Sequence, residues 1–592
     1  VNDGWHGHTP YPLREYALIA DGERGALIDP GGAVVWMCAP RWHSDAVFSE
    51  LIGGSGGFEV CPENPWRLAG GEYVDGALIR VSRWTLNDGT VECRDALAVP
   101  ADPHRAVLLR RIRAVDGPAL VRVRLSARAA FGARPMTALH RDRGGWHGRI
   151  GPLRLSLWGL ADAAYDEGEA TLTARLPLTA GDEHDLVLEI ADGPAARNRT
   201  THQPAALQAA RLWQQTEERW AAAVPDCSDL TASRDARQAY AVLTGLTAGG
   251  GAMVAAATTS LPERAGSSRA YDYRYAWIRD QCYAGSAVAA HGPHRLLDDA
   301  VRFVTARVLE DGPVLRPAYR VDGRPVPGER TLTLAGYPGA SDRVGNRAGH
   351  QFQLDTFGEV LELLAAAARR DRLDADGVRA ARVAVSALEA NWQRPDTGIW
   401  ELRPAWWTHS RLAAVSGLRA AARSIADPPS AYAWSELADS ILHETRRTCL
   451  HRSGRWQRSR EDPRVDASLL RPLSNGAWPA SDPTLAATRS AVERELTQDG
   501  FVYRYDGTGP DDGEGAFLLC GFFMSAACLA EGRPVAAARW FERTRSAYGP
   551  PGLFAEEYDV RQRQLRGNLP QAFVHALLLE NAVRLTAAGR EP

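Results

Sequence analysis

A change of hydrophobic period close to residue 204 restricts the fold of this chain more than any other feature. Before it, from about Tyr16 to Ile190, short apolar runs are separated by Gly, Asp and Pro, as in Ala17-Leu18-Ile19, Ala33-Val34-Val35-Trp36 and Ala106-Val107-Leu108-Leu109. Val121, Val123 and Leu125 alternate with Arg122 and Arg124, the period of a half-buried strand. Many such runs without a long helical stretch predict an antiparallel β-sandwich. After the change, Leu354, Phe357, Leu361 and Leu364 step by three and four, one apolar face of a helix. The same pattern predicts helices over 205–223, 239–246, 295–310, 353–368, 377–391, 411–425, 430–447, 484–496, 517–530, 535–547 and 570–587. So many helical hairpins must stack as a solenoid or close on themselves, and no fixed repeat period supports a solenoid. A closed barrel of helix pairs, with long Pro-, Gly- and Trp-containing loops at one end, is the expectation. The chain thus divides into a β-sandwich domain (1–203), a helical linker (204–235) and a helical-barrel domain (236–592).

Composition removes several functions. Every cationic side chain except histidine is Arg, so a P-loop, a lysine Schiff base and a kinase strand lysine are all excluded. The net charge of −3 supplies no field for nucleic acid. The 8 cysteines form no Cys-x-x-Cys pair and are too sparse for a disulfide scaffold, which fits a reducing compartment. The start, Val1-Asn2-Asp3-Gly4-Trp5-His6, lacks the order of a signal peptide, and no apolar run reaches the length of a membrane span. A cytoplasmic protein without a membrane or nucleic-acid partner is expected, and a homo-oligomer remains open. No histidine (His6 and His8 included) or carboxylate grouping asks for a metal.

The 18 tryptophans stand in loops as well as in apolar runs. Trp277 precedes Arg279-Asp280, and Trp406-Trp407 follows Gly398-Ile399-Trp400-Glu401. Any one Trp is more often a core residue than a ligand contact. Aromatic rings beside an Arg-Asp pair are nonetheless what a saccharide needs, rings for its C–H faces and charged groups for its hydroxyls. Glycoside hydrolysis also needs two carboxyl groups flanking the scissile bond. Two acids stand out: Glu401, delivered by a turn between aromatics, and Glu556, leaving the apolar stretch Gly552-Leu553-Phe554-Ala555. Local composition does not separate Glu556 from its neighbour Glu557, nor the cluster from a solvated turn.

The run Thr258-Thr259-Ser260-Leu261-Pro262-Glu263, followed by Tyr271-Asp272-Tyr273-Arg274-Tyr275-Ala276-Trp277-Ile278-Arg279-Asp280, resembles the signature of glycoside hydrolase family 15, the glucoamylase, glucodextranase and bacterial trehalase group. The likeness continues through Val344-Gly345-Asn346, Gln351-Phe352-Gln353-Leu354-Asp355, Asp396 to Glu401 with Thr408-His409-Ser410, Glu514-Gly515-Ala516-Phe517, Glu556-Glu557-Tyr558-Asp559 and Gly567-Asn568-Leu569-Pro570-Gln571. The early block Glu15-Tyr16-Ala17-Leu18-Ile19 with Trp36-Met37-Cys38-Ala39-Pro40-Arg41 resembles the β-domain of prokaryotic members, so nearly the whole chain is covered in order.

The resemblance implies a β-sandwich followed by an (α/α)6 barrel and an inverting, exo-acting α-glycosidase. Such an enzyme hydrolyses terminal α-glucosides, trehalose or short α-glucans, and releases β-glucose without cofactor or metal. By motif, Glu401 matches the general acid and Glu556 the general base. Arg279, Asp280 and Trp277 match the grip on the terminal glucose, with Asp272 and Arg274 holding that wall. Trp400 and Arg403 flank the acid and would line the substrate.

The chain also departs from the pattern. Arg411-Leu412-Ala413-Ala414 stands where many members have Lys and then Trp and Asp-Arg. Ala270-Tyr271 replaces Asn-Trp, and Trp42-His43 replaces Phe-Asp. These changes leave the leaving-sugar preference open, including an unusual natural-product glycoside. A carbohydrate-binding or regulatory protein on the same fold is the alternative outside catalysis. A phosphorolytic relative would lack the base that Glu556 supplies.

Overall fold

A computed structural model describes residues 10–64, 67–142, 145–193, 205–264, 266, 269–340, 342–479, 481–507 and 514–590. His6, His8 and the expected boundary at 203/204 lie outside the described residues.

The first part forms two eight-stranded antiparallel sheets. In spatial order, one contains Ala17–Ala20, Gly25–Ile28, Ala33–Cys38, Gly57–Pro62, Ala119–Ser126, Thr171–Leu178 and Ala164–Asp166, with Ala46–Phe48 beside Ala33–Cys38. The other contains Met136–Asp142, Gly145–Ile150, Leu153–Trp158, Glu183–Ala191, Arg105–Ala114, Thr90–Leu97, Arg80–Leu86 and Arg67–Tyr73. Alternation works as expected: Val121, Val123 and Leu125 point inward and join Leu108, Ile112, Leu155 and Leu188 of the opposite sheet in one core. Each such buried aliphatic side chain contributes about 1.5–3 kcal/mol. On the outer face, Arg122 pairs with Glu59 at 2.6 Å.

The strands Ala17–Ala20 and Ala33–Cys38 are buried on both faces. Ile19 and Val34 enter the sheet core, while Leu18, Val35 and Trp36 join the core of the helical part. Trp36 Nε1 donates to the carbonyl of Ala257 at 2.9 Å across that junction.

The helices are α1 (Ala205–Ala223), α2 (Ser233–Leu246), α3 (Ile278–His291), α4 (Arg295–Asp311), α5 (Asp355–Ala368), α6 (Ala375–Asn391), α7 (Thr408–Ser424), α8 (Pro428–Cys449), α9 (Leu470–Leu473), α10 (Pro483–Glu495), α11 (Leu518–Ala530), α12 (Pro534–Arg545) and α13 (Ala572–Arg590). Two were not anticipated. In α3 the polar start Arg279-Asp280-Gln281 hides the apolar period, and α9 is too short to show one. Helix α1 lies against the second sheet, where Trp213 Nε1 donates to Asp185 Oδ1 at 3.1 Å and Arg94 meets Glu217 at 2.7 Å.

Helix α3 packs against α5 and α13, α5 against α7, α9 against α7 and α11, and α11 against α13. Helices α4, α6, α8 and α12 pack outside α3, α5, α7 and α11, and α2 lies on α13. Burial follows this arrangement. Every residue of α11 from Leu518 to Cys528 is buried, as an interior helix requires. The outer α8 buries only a stripe of Trp434, Ala438, Ile441, Leu442, Thr445 and Cys449. Gly358 and Gly417 let α5 and α7 touch backbone to backbone: a Cβ on Gly417 would lie 2.3 Å from the Gly358 carbonyl oxygen. Among the described residues no helix is long and apolar enough to cross a membrane.

Candidate active site

The N-terminal ends of α3, α5, α7, α11 and α13 share one side of the helical part, and the loops that lead into them enclose a cavity of about 350 Å³. Arg279, Trp400, Glu401 and Glu556 line it, together with Glu263, Tyr271, Tyr273 and Arg504. Two carboxyl groups far apart in sequence, Glu401 and Glu556, thus face the same space.

Glu401 is presented by a tightly bound turn. Asp396 Oδ1 accepts from Gly398 N at 2.8 Å and from Ser410 Oγ at 2.8 Å, and its other oxygen is held by Arg411. The replacement at Arg411 therefore supplies the cation that anchors this turn. Gly398 takes φ +64°, and a Cβ there would meet the Trp407 ring at 2.8 Å. Glu401 itself adopts φ 55°, a left-handed conformation that costs a non-glycine residue about 1–3 kcal/mol. Its Oε1 accepts from Trp277 Nε1 at 2.8 Å and lies 4.0 Å from Arg279 Nη1. The side chain remains about a quarter exposed, at 26%.

Arg279 is fixed by the carbonyl of Ile399 at 2.9 Å and by Asp280, which is fully buried behind it, outside the cavity lining, with Oδ2 3.2 Å from Nη2. Burial raises the Asp280 carboxyl to about 6, against the pull of Arg279. Behind it, Asp355 is raised to about 7 by burial and by Asp396. Burial keeps His409, 3.8 Å from Asp355, neutral by lowering it to about 3.

Glu556 comes from the edge of a three-stranded ribbon, Ala516–Phe517, Glu557–Asp559 and Gln564–Arg566. Its backbone carbonyl accepts from Leu518 N at 3.1 Å, and Tyr273 Oη lies 3.1 Å from both of its carboxyl oxygens. Burial raises its carboxyl well above the usual range, with Glu263 and Glu557 adding to the effect and Arg504 opposing it. Glu557 points the other way, as alternation along a strand requires, and accepts from Gly515 N at 2.9 Å. It does not line the cavity.

The other expected residues take different places. Trp277 is buried behind Glu401 as its hydrogen-bond donor. Trp400 lines the cavity, its Nε1 donating to Asp466 at 3.0 and 3.1 Å. Asp272 and Arg274 do not reach the cavity. Asp272 Oδ2 accepts from Gly345 N at 2.9 Å, and Arg274, 2.7 Å from that carboxylate, donates to the carbonyls of Ser44 at 2.8 Å and Trp42 at 3.4 Å. The pair joins the cavity wall to the first sheet. Arg403 is exposed and outside the lining. Glu263, Tyr273 and Arg504 line the cavity without having been singled out. The first two lie inside the Thr258–Asp280 signature, whereas nothing around Arg504 marks it in sequence.

A larger cavity, about 830 Å³, lies at the opposite ends of α3, α5, α7 and α13. No aromatic side chain lines it. Its acids are already engaged, Glu580 with Arg471 at 2.8 Å and with Arg584, and Glu362 with Asn475 at 2.5 Å. A sugar would find no ring to stack on and no free carboxyl pair.

Comparison with known families decides the assignment. Residues 236–583 match the model for glycosyl hydrolases family 15. The chain belongs to that family. Residues 3–220 match the trehalase-like N-terminal domain, so both parts of this family 15 glycosidase are accounted for. It is 31% identical to the trehalase of Mycobacterium tuberculosis, over 98% of this chain and 90% of that protein. It is 27% identical to trehalase 1 of Sulfolobus acidocaldarius, over 96% and 98%. Among solved structures, a bacterial glucoamylase complexed with acarbose superposes with a TM-score of 0.70 over 99% of this chain and 96% of its own, at 14% identity. That likeness supports the same fold: antiparallel sheets followed by a helical domain.

Proposed function

We propose that this glycosidase hydrolyses terminal α-glucosides, trehalose foremost and short α-glucans second, with inversion at the anomeric carbon. Glu401 is the general acid and Glu556 the general base. The observation that carries this reading is the convergence of the two carboxyl groups on one cavity, each held by a different ring donor, Trp277 and Tyr273. Relatives named trehalase that align along almost the entire chain support the substrate.

In the reaction, the Glu401 carboxyl gives its proton to the glycosidic oxygen as the bond to the anomeric carbon breaks. Water adds from the opposite face and loses a proton to Glu556, so one glycoside and one water give two sugars. Afterwards Glu401 is ionised and Glu556 protonated, and proton exchange with solvent restores both. Arg279, backed by Asp280, binds hydroxyls of the terminal glucose, and Trp400 gives the sugar an apolar face. A cavity of about 350 Å³ is at the small end for ligand sites, which suits the end of a substrate rather than the middle of a polymer.

The contacts that run from α3 through α5, α7, α9, α11 and α13 back to α3 support an (α/α)6 barrel, with the site at the N-terminal ends of the inner helices. We divide the chain accordingly into a sandwich domain (1–203), a linker (204–235) and a barrel domain (236–592).

A Glu401→Gln variant tests the reading. Hydrolysis of trehalose should fall by about 10²–10⁴-fold, the usual contribution of a general acid, while binding of the sugar persists. Retained hydrolysis would remove Glu401 from the mechanism. An inactive wild type that binds sugar would instead support the carbohydrate-binding alternative.

A further inference from the structure

Tyr273 Oη lies 3.1 Å from each Glu556 oxygen and 3.2 Å from Glu263 Oε1, so one phenol bridges two buried acids. Its single O–H cannot serve both, whereas a protonated carboxyl can donate to the phenol oxygen in return. The arrangement is satisfied when the pair carries one proton.

We propose that Glu263 is a positioning residue for Glu556: it carries that proton in the resting site and donates it to Tyr273 Oη, whose own O–H then turns to Glu556, so that the base stays ionised and fixed beside Tyr273. This rests on Glu556 acting as the base. Glu263 comes from the loop before α3, is buried, and lines the cavity. The charges around the pair are consistent with a net charge of −1 on it. Arg504 and Arg269 face Glu263, each tied also to Glu514, while Glu557 adds negative charge beside Glu556. Tyr271 and Tyr273 complete the surroundings, with Glu401 farther across the cavity. Burial raises both carboxyls, and Glu263 and Glu557 raise Glu556 further, in the direction that keeps one proton bound. During turnover Glu556 takes the proton of the attacking water. The pair then holds two protons and releases one to solvent, while Glu401 takes one up.

The test is the pH dependence of kcat/KM for trehalose in Glu263→Gln and Glu263→Ala, beside the wild type and Glu556→Gln. The Gln amide can donate to Tyr273 Oη as the protonated acid does, but it cannot titrate. Glu263→Gln should therefore keep kcat within about tenfold of wild type, short of the loss that removing a base causes. Its acidic limb should stay within about half a pH unit of the wild type, because the neighbour is neutral in both while Glu556 titrates. Glu263→Ala should lose more kcat at unchanged KM. An acidic limb lowered by about one pH unit or more in Glu263→Gln, the mark of an ionised Glu263 in the wild type, or equal losses in Gln and Ala, would overturn the proposal.

Infrared spectra of the unliganded full chain at neutral pH supply a second readout that needs no turnover. The wild type should show a protonated-carboxyl band that weakens in Glu263→Gln, and an unchanged band would contradict the assignment. Full hydrolysis by Glu556→Gln would overturn the base reading itself. An inactive Glu556→Gln with a lowered acidic limb in Glu263→Gln would overturn only the role of Glu263.

Discussion

Tyr273 and Trp277 meet edge to face, with ring centroids 5.5 Å apart at 75°, and each donates to a different carboxyl group of the cavity. Trp277 Nε1 holds Glu401 at 2.8 Å, and Tyr273 Oη holds Glu556 at 3.1 Å. The two carboxyl groups arrive from loops 155 residues apart in sequence, yet both are referred to one short segment just before α3. Their relative position is thereby fixed by two packed rings rather than by the long loops that carry them.

Replacement of Trp277 by Phe keeps the ring contact and removes the donor. A hydrogen bond to a charged group contributes about 1.5–3 kcal/mol. The expected result is a loss of kcat of roughly tenfold to a hundredfold, with a much smaller change in KM. Steady-state kinetics on trehalose measure both.

The turn that carries Glu401 depends on the buried pair of Arg411 and Asp396, both side chains being fully inaccessible. Removing one partner of such a pair strands the other charge and costs about 3–5 kcal/mol. Arg411→Met is expected to lower the unfolding free energy by about that amount and to reduce kcat together with it. Arg411→Lys, which retains the charge, should recover part of both. Denaturant unfolding and kinetics on the same preparations provide the check.

Several buried carboxyls have folded-state values above their unfolded ones: Asp280 at about 6, Asp355 at about 7 and Glu557 at about 8, all raised first by burial. The folded chain therefore binds more protons than the unfolded chain between the two values. Stability from these groups is full at low pH and is lost as pH rises through the folded values. Glu557→Gln removes one such group outside the cavity. Its melting temperature should fall less than that of the wild type between pH 6 and about pH 9. Parallel slopes in a pH series of thermal melts would contradict this.

Much of this architecture was legible in the sequence because it depends on local periodicity. Val121, Val123 and Leu125 alternate and lie in the sheet core, and the 353–368 pattern became Asp355–Ala368. The order of strands within each sheet was not legible, since pairs such as Gly57–Pro62 with Ala119–Ser126 join distant segments. At the site, Glu401 and Glu556 were marked by their motifs; local composition alone left Glu557 beside Glu556, and the structure turns Glu557 away from the cavity onto Gly515 N. Arg403, close in sequence to the acid, is carried away by the turn and exposed. Arg504 comes into the cavity by tertiary packing alone, opposite two acids, and its immediate sequence carries no sign of it.

The most direct measurement is proton NMR of the anomeric region during hydrolysis of trehalose, with maltose, isomaltose and maltotriose in parallel. Inversion by Glu401 and Glu556 is expected to release one β-glucose and one α-glucose from each trehalose at the earliest times, before mutarotation mixes them. Only α-glucose at those times would contradict the inverting assignment. A folded protein that leaves all four sugars intact would contradict the α-glucosidase reading.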